Sequence, residues 1–71
     1  LTLTVNGKLR SLTELEGPVG LLALVEALGV HPGRVAVELN GEIRPRSRWD
    51  GVTVVEGDRL EIVHFVGGGS R

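Results

Sequence analysis

Three glycines, Gly67, Gly68 and Gly69, follow directly on the apolar run EIVHFV near the C-terminus. Glycine lacks a Cβ, so such a segment holds no fixed backbone shape, yet it can pass through a channel too narrow for other residues. A chain-terminal carboxylate has a pKa of roughly 3.3–3.7 and is ionised at neutral pH. Carried on a glycine arm into an enzyme that binds ATP, it can attack the α-phosphate, and the resulting acyl-adenylate is open to a sulfur nucleophile. A frayed end or an expression remnant has the same composition, because Gly/Ser-rich segments are flexible coils. Glycines alone leave both readings open. A small strand-rich domain in front of them favours the reactive arm.

Other chemistries find less support. The chain has no cysteine, so it has neither a thiol nor a thiolate metal site, and any sulfur it handles must come from another molecule. His31 and His64 lie far apart with no second ligand at metal-binding spacing, and both read as surface or packing residues. No metal site and no catalytic residue is assigned. Ser11, Ser47 and Ser70 lack a nucleophile-elbow turn and an evident base. The glycines lack the following helix and Lys-Ser/Thr pair of a phosphate-binding loop. In IRPRSRW, period-two spacing would set Arg44, Arg46 and Arg48 on one side of a strand next to Trp49, a small anion or nucleic-acid patch. Glu38, Glu42 and Asp50 flank it, so solvated edge charges that discourage strand-to-strand pairing are the preferred reading.

The elements that would present the arm follow from the rest of the sequence. With 71 residues and a net charge of −1, the chain has room for one small core and carries no basic excess for nucleic acid or an anionic membrane. No apolar run approaches the ~20 residues of a membrane span, and the expected location is cytoplasmic. LTLTV alternates like a half-buried strand and stops at Asn6-Gly7, a strong hairpin signal, so a returning strand is expected over residues 8–12. Gly17-Pro18 punctuates, with Pro18 suited to the first helical position. Leu21, Leu24, Val25 and Leu28 then share one helical face, and Gly29 sits where a left-handed cap belongs. Residues 34–39 alternate up to a second Asn-Gly, Asn40-Gly41. Pro45 makes residues 43–49 an edge segment. Strands are expected again over residues 52–55 and 60–66.

This order predicts an α+β fold, a β-grasp domain with a mixed four- to five-stranded sheet and one main helix across one face. It would fill residues 1–66, with residues 67–71 as a flexible glycine tail. In the last strand Leu60, Ile62 and His64 point to one face and Glu61, Val63 and Phe65 to the other. With Leu60 and Ile62 against the helix, Val63 and Phe65 lie on the open face beside the tail and form a candidate docking patch, simple surface packing being the alternative.

Four stretches, VNGK at Val5, LLALVEALGV at Leu21, VAVELNGEIRPRSRW at Val35 and EGDRLEIVHFVGGG at Glu56, give the chain a resemblance to the thiamine-biosynthesis sulfur carriers, the ThiS family of ubiquitin-like β-grasp proteins. The resemblance implies a protein cosubstrate rather than an enzyme. It maps the family's terminal Gly-Gly onto Gly68 and Gly69, with Gly67 as added reach, and makes Gly69 the site of adenylation and thiocarboxylate formation. It implies as partners an E1-like (ThiF-like) adenylyltransferase that uses ATP and Mg²⁺, a sulfur donor such as a cysteine desulfurase, and a ThiG-like thiazole synthase. No cofactor is expected on the carrier itself, which is expected to be a monomer when free. Ser70 and Arg71 depart from the pattern, so they are expected to be removed or to be an expression remnant, and the absence of an initiator Met suggests that Leu1 is not the natural start. Rivals of the same fold are the small subunit of molybdopterin synthase and a tRNA-thiolation carrier. A rival of another class is a β-grasp module that binds protein or RNA without tail chemistry.

Overall fold

The structure is a computed structural model that describes residues 1–65. Its strands and helix form in the order β1 (Thr2–Val5), β2 (Lys8–Ser11), β3 (Val19–Gly20), α1 (Leu21–Ala27), β4 (Val35–Leu39), β5 (Glu42–Ile43), β6 (Thr53–Val54) and β7 (Arg59–His64). Five strands make one sheet in the order β2-β1-β7-β4-β5, and β3 and β6 pair separately. First and last strands thus lie side by side and parallel, with Val5 opposite Leu60. The sheet with one helix across it is the expected β-grasp.

Local chemistry explains the turns. Asn6 and Gly7 have φ of 51° and 80°, and Asn40 and Gly41 have 52° and 87°. Both pairs therefore occupy the left-handed region that a two-residue hairpin turn demands, which asparagine and glycine tolerate best. Gly29, at φ 80°, stops α1 as the helical pattern predicted.

The core is one apolar layer between sheet and helix. Leu3, Val37, Leu60 and Ile62 come from the sheet and Leu21, Leu24 and Val25 from α1, all buried. Alternation along β1, β4 and β7 and the i, i+3, i+4 spacing along α1 turn these residues to the same side.

Two expectations fail. Pro18 does not open the helix: Gly20 is its N-cap, with extended φ −63° and ψ 145°. The backbone between Pro18 and α1 is instead held extended by pairing of β3 with β6, continued by Leu21 N–H donating to the Val52 carbonyl at 2.9 Å. Nor do Arg44, Arg46 and Arg48 share one side of a strand. β5 ends at Ile43, and Arg46–Gly51 is a 3-10 helix whose one buried residue is Trp49. Pro45 has no N–H to continue the ladder, and a tight turn brings the indole into the core. Residues three apart eclipse in a 3-10 helix, so Arg46 stacks its guanidinium over Trp49, 5.0 Å from the ring centre.

Candidate functional site: the exit strand and its open face

β7 leads to the glycine segment. On one side it pairs with β4 through five antiparallel positions, from Leu39 opposite Leu60 to Val35 opposite His64. Phe65 N–H extends this edge by donating to the Arg34 carbonyl at 2.9 Å. On the other side β1 reaches only as far as Leu60, and beyond it the Asn6 side chain takes over, bonded to both the N–H and the carbonyl of Ile62. At its start β7 is held by Asn40, whose Oδ1 accepts from Arg59 N–H at 2.9 Å and whose Nδ2 donates to Asp58 at 3.0 Å.

Alternation then decides what the strand presents. Leu60 and Ile62 are in the core, whereas Val63 and Phe65 are 62% and 63% exposed. Ala36 lies opposite Val63, and Ile43 lies opposite Glu38 on the same open face, itself 72% exposed. Phe65, Ala36 and Ile43 contribute to a shallow cavity of about 210 Å³, with Pro32, Pro45 and the side of Arg44 among its other walls. Large apolar residues gathered on one face form a patch, unlike the scattered singles of an ordinary surface.

Polar groups frame the patch. Arg44 pairs with Glu42 at 2.9 Å, a contact worth at most about 1 kcal/mol at such exposure. Glu38 and Glu61 stand directly opposite one another farther along the same face. His31 is occupied locally, its Nδ1 accepting from Gly33 N–H at 3.1 Å. His64 is exposed at the end of β7. Among the described residues no group of acidic, histidine or cysteine side chains is placed to hold a metal ion. No helix among them is long and apolar enough to cross a membrane.

The structure thus sets Val63 and Phe65 on the open face at the end of the exit strand. Gly67, Gly68 and Gly69, with the expectation of a mobile arm, lie outside the described residues. Sequence reasoning missed Ile43 and Ala36. A two-residue turn at Asn40-Gly41 fixes the register that puts Ile43 beside Glu38, so the signal was present in the turn rather than in any motif.

Comparison with known proteins adds lineage to this geometry. The sequence model of the ThiS family matches residues 3–69. The chain is similar to the crystal structure of the thiamine biosynthesis protein ThiS from Geobacter metallireducens, with TM-score 0.81 and 41% identity over 97% of this chain and 100% of that one. A solution structure of a thiamine biosynthesis protein from Geobacter metallireducens gives TM-score 0.75 and 40% identity, covering 100% of this chain and 91% of that one. A thiazole synthase of Paramagnetospirillum magneticum is 44% identical over 70 residues, 99% of this chain but 21% of the relative. One from Magnetococcus marinus is 42% identical over 59 residues, 83% of this chain and 16% of the relative. The chain therefore spans only a small part of the length of the curated relatives it matches.

Proposed function

The chain belongs to the ThiS family, and on that premise we propose that it is a sulfur carrier for thiazole formation in thiamine biosynthesis, a protein cosubstrate rather than a catalyst. The observation that carries this reading is the apolar patch at the end of β7: Val63 and Phe65 are exposed two to four residues before Gly67, where a partner gripping the face would have the glycines at its own active site.

The chemistry follows from a carboxylate at Gly69. In a chain that ends there, without Ser70 and Arg71, one carboxylate oxygen attacks the α-phosphorus of Mg-ATP bound to an E1-like adenylyltransferase, and pyrophosphate leaves. A sulfur nucleophile then attacks the acyl carbon, and AMP leaves with the original oxygen. Sulfide gives the thiocarboxylate directly, without oxidation or reduction; the persulfide of a donor such as a cysteine desulfurase gives an acyl disulfide, from which a thiol releases the thiocarboxylate while being oxidised to a disulfide. ATP and Mg²⁺ belong to the activating enzyme. The carrier contributes the face that docks and the segment that enters.

Thiazole synthase is the proposed acceptor. Supporting it, two proteins of that name contain a stretch similar to nearly the whole or most of this chain within a much longer polypeptide. Covalent linkage keeps two functional partners at high effective concentration. Binding of the immobilised chain to thiazole synthase, to the large subunit of molybdopterin synthase and to a tRNA thiolase tests the assignment. Preferential binding of thiazole synthase is expected, and preference for either of the others overturns the pathway.

A further inference from the structure

The parallel ladder between β1 and β7 advances in regular steps: Thr4 N–H donates to the Asp58 carbonyl at 3.0 Å and Asn6 N–H to the Leu60 carbonyl at 2.8 Å. Continued, it would bond Ile62 N–H to the carbonyl of residue 6 and the N–H of residue 8 to the Ile62 carbonyl. The chain cannot continue, because Asn6 turns away at φ 51° into Gly7. Its side-chain amide supplies both missing groups: Oδ1 accepts from Ile62 N–H at 2.6 Å, and Nδ2 donates to the Ile62 carbonyl at 3.1 Å. A primary amide carries the same C=O and N–H pair as a peptide group. The Asn6 side chain therefore acts as one further peptide unit of β1.

We infer that Asn6 is a positioning residue for sulfur loading: it extends the grip on the β1 side of β7 as far as Ile62 and so fixes the path of residues 63–65, which β4 holds from the other side only. Its consequence for loading rests on the carrier function proposed above; its consequence for the strand does not. An arm that must enter a partner's channel reacts only when its root is aimed, and misplacement by about 1 Å can cost up to about a hundredfold in rate. Two exposed anchors, Val63 and Phe65, come from the same stretch, so its direction also sets where they meet the partner.

Asn40 provides the internal control. It too begins an Asn-Gly turn, at φ 52°, and bonds β7 through its side chain, but at Asp58 and Arg59, the far end from the glycines. Asn6→Gly and Asn40→Gly both keep a residue that accepts positive φ, and each removes a side-chain clamp on the same strand. A merely structural role predicts similar consequences for both. A positioning role confines the loss to Asn6.

The experiment uses chains ending at Gly69 and reads two quantities, amide hydrogen exchange of Ile62 and the steady-state kinetics of thiocarboxylate formation with activating enzyme, Mg-ATP and sulfide. Asn6→Gly is expected to speed Ile62 exchange by about tenfold and to lower kcat by about tenfold, with KM changed by less than about twofold. Asn6→Asp keeps the acceptor for Ile62 N–H but turns an oxygen toward the Ile62 carbonyl, and should fall between wild type and Asn6→Gly in both. Asn40→Gly should leave Ile62 exchange and kcat within about twofold of wild type. Equal losses of kcat in the two glycine variants, or unchanged Ile62 exchange in Asn6→Gly, overturn the inference. A wild-type chain that is never loaded refutes the carrier function, and Ile62 exchange then still decides whether Asn6 holds the strand.

Discussion

The indole Nε1 of Trp49 donates to the carbonyl of Arg44 at 2.7 Å from a side chain that is 1% exposed. One residue thus fills the core and fastens the backbone between edge strand β5 and the 3-10 helix, the stretch that walls the cavity beside Phe65. Packing of the interior and shape of the docking face are coupled through this contact.

Trp49→Ala should cost about 3–5 kcal/mol, the usual range for removing a buried aromatic ring. Domains of this kind have about 5–15 kcal/mol in total, so the variant should be close to unfolding. Trp49→Phe keeps much of the ring but leaves the Arg44 carbonyl without its donor, and should cost about 1–3 kcal/mol. Urea denaturation of both variants checks the order, and a Trp49→Phe chain as unstable as Trp49→Ala would show that the hydrogen bond outweighs the packing.

Phe65→Ala should behave in the opposite way. Its ring is exposed, so folding stability should change by no more than about 0.5 kcal/mol, while affinity for the activating enzyme or thiazole synthase should fall by about tenfold or more. Leu9, 77% exposed on β2 and paired with Thr4 on the same open face, is the control: Leu9→Ala should leave affinity unchanged. Calorimetric titration of both variants separates a localised docking patch from a face that is apolar throughout.

Two glycines at the ends of α1 should respond differently to alanine. Beyond the adjoining backbone, neither has an atom within 4 Å of where a Cβ would stand, so space does not decide the outcome. Gly29, at φ 80°, is in the left-handed region, and Gly29→Ala should cost about 1–2 kcal/mol. Gly20 is extended at φ −63°, and Gly20→Ala should be neutral or stabilising by up to about 1 kcal/mol through the unfolded state. Thermal melting of the pair is the check.

Much of this architecture is legible in the residues. Two Asn-Gly pairs announce the hairpins, Leu21, Leu24 and Val25 mark the helix face, and alternation through β7 separates Leu60 and Ile62 from Val63 and Phe65. Each signal is local, so tertiary context had nothing to override. What was not legible was long-range. Trp49 sits beside three arginines in the sequence, and only the 3-10 turn after Pro45 carries it inward while leaving Arg46 on its outer face. Pro18 matched a helix-start rule, but the adjacent backbone is claimed by β6, more than thirty residues away in the chain. The second role of Asn6 was hidden for the same reason: its partner Ile62 is 56 positions distant.

The central claim is that Gly69 carries sulfur, and intact-protein mass spectrometry tests it most directly. A chain ending at Gly69 is incubated with activating enzyme, Mg-ATP and a sulfur donor, with a chain ending at Arg71 in parallel. The Gly69 chain should gain the mass difference between one sulfur and one oxygen, mapped to its last residue, and the Arg71 chain should gain nothing unless it is first trimmed. A Gly69 chain that binds the activating enzyme yet forms neither adenylate nor thiocarboxylate would contradict the account.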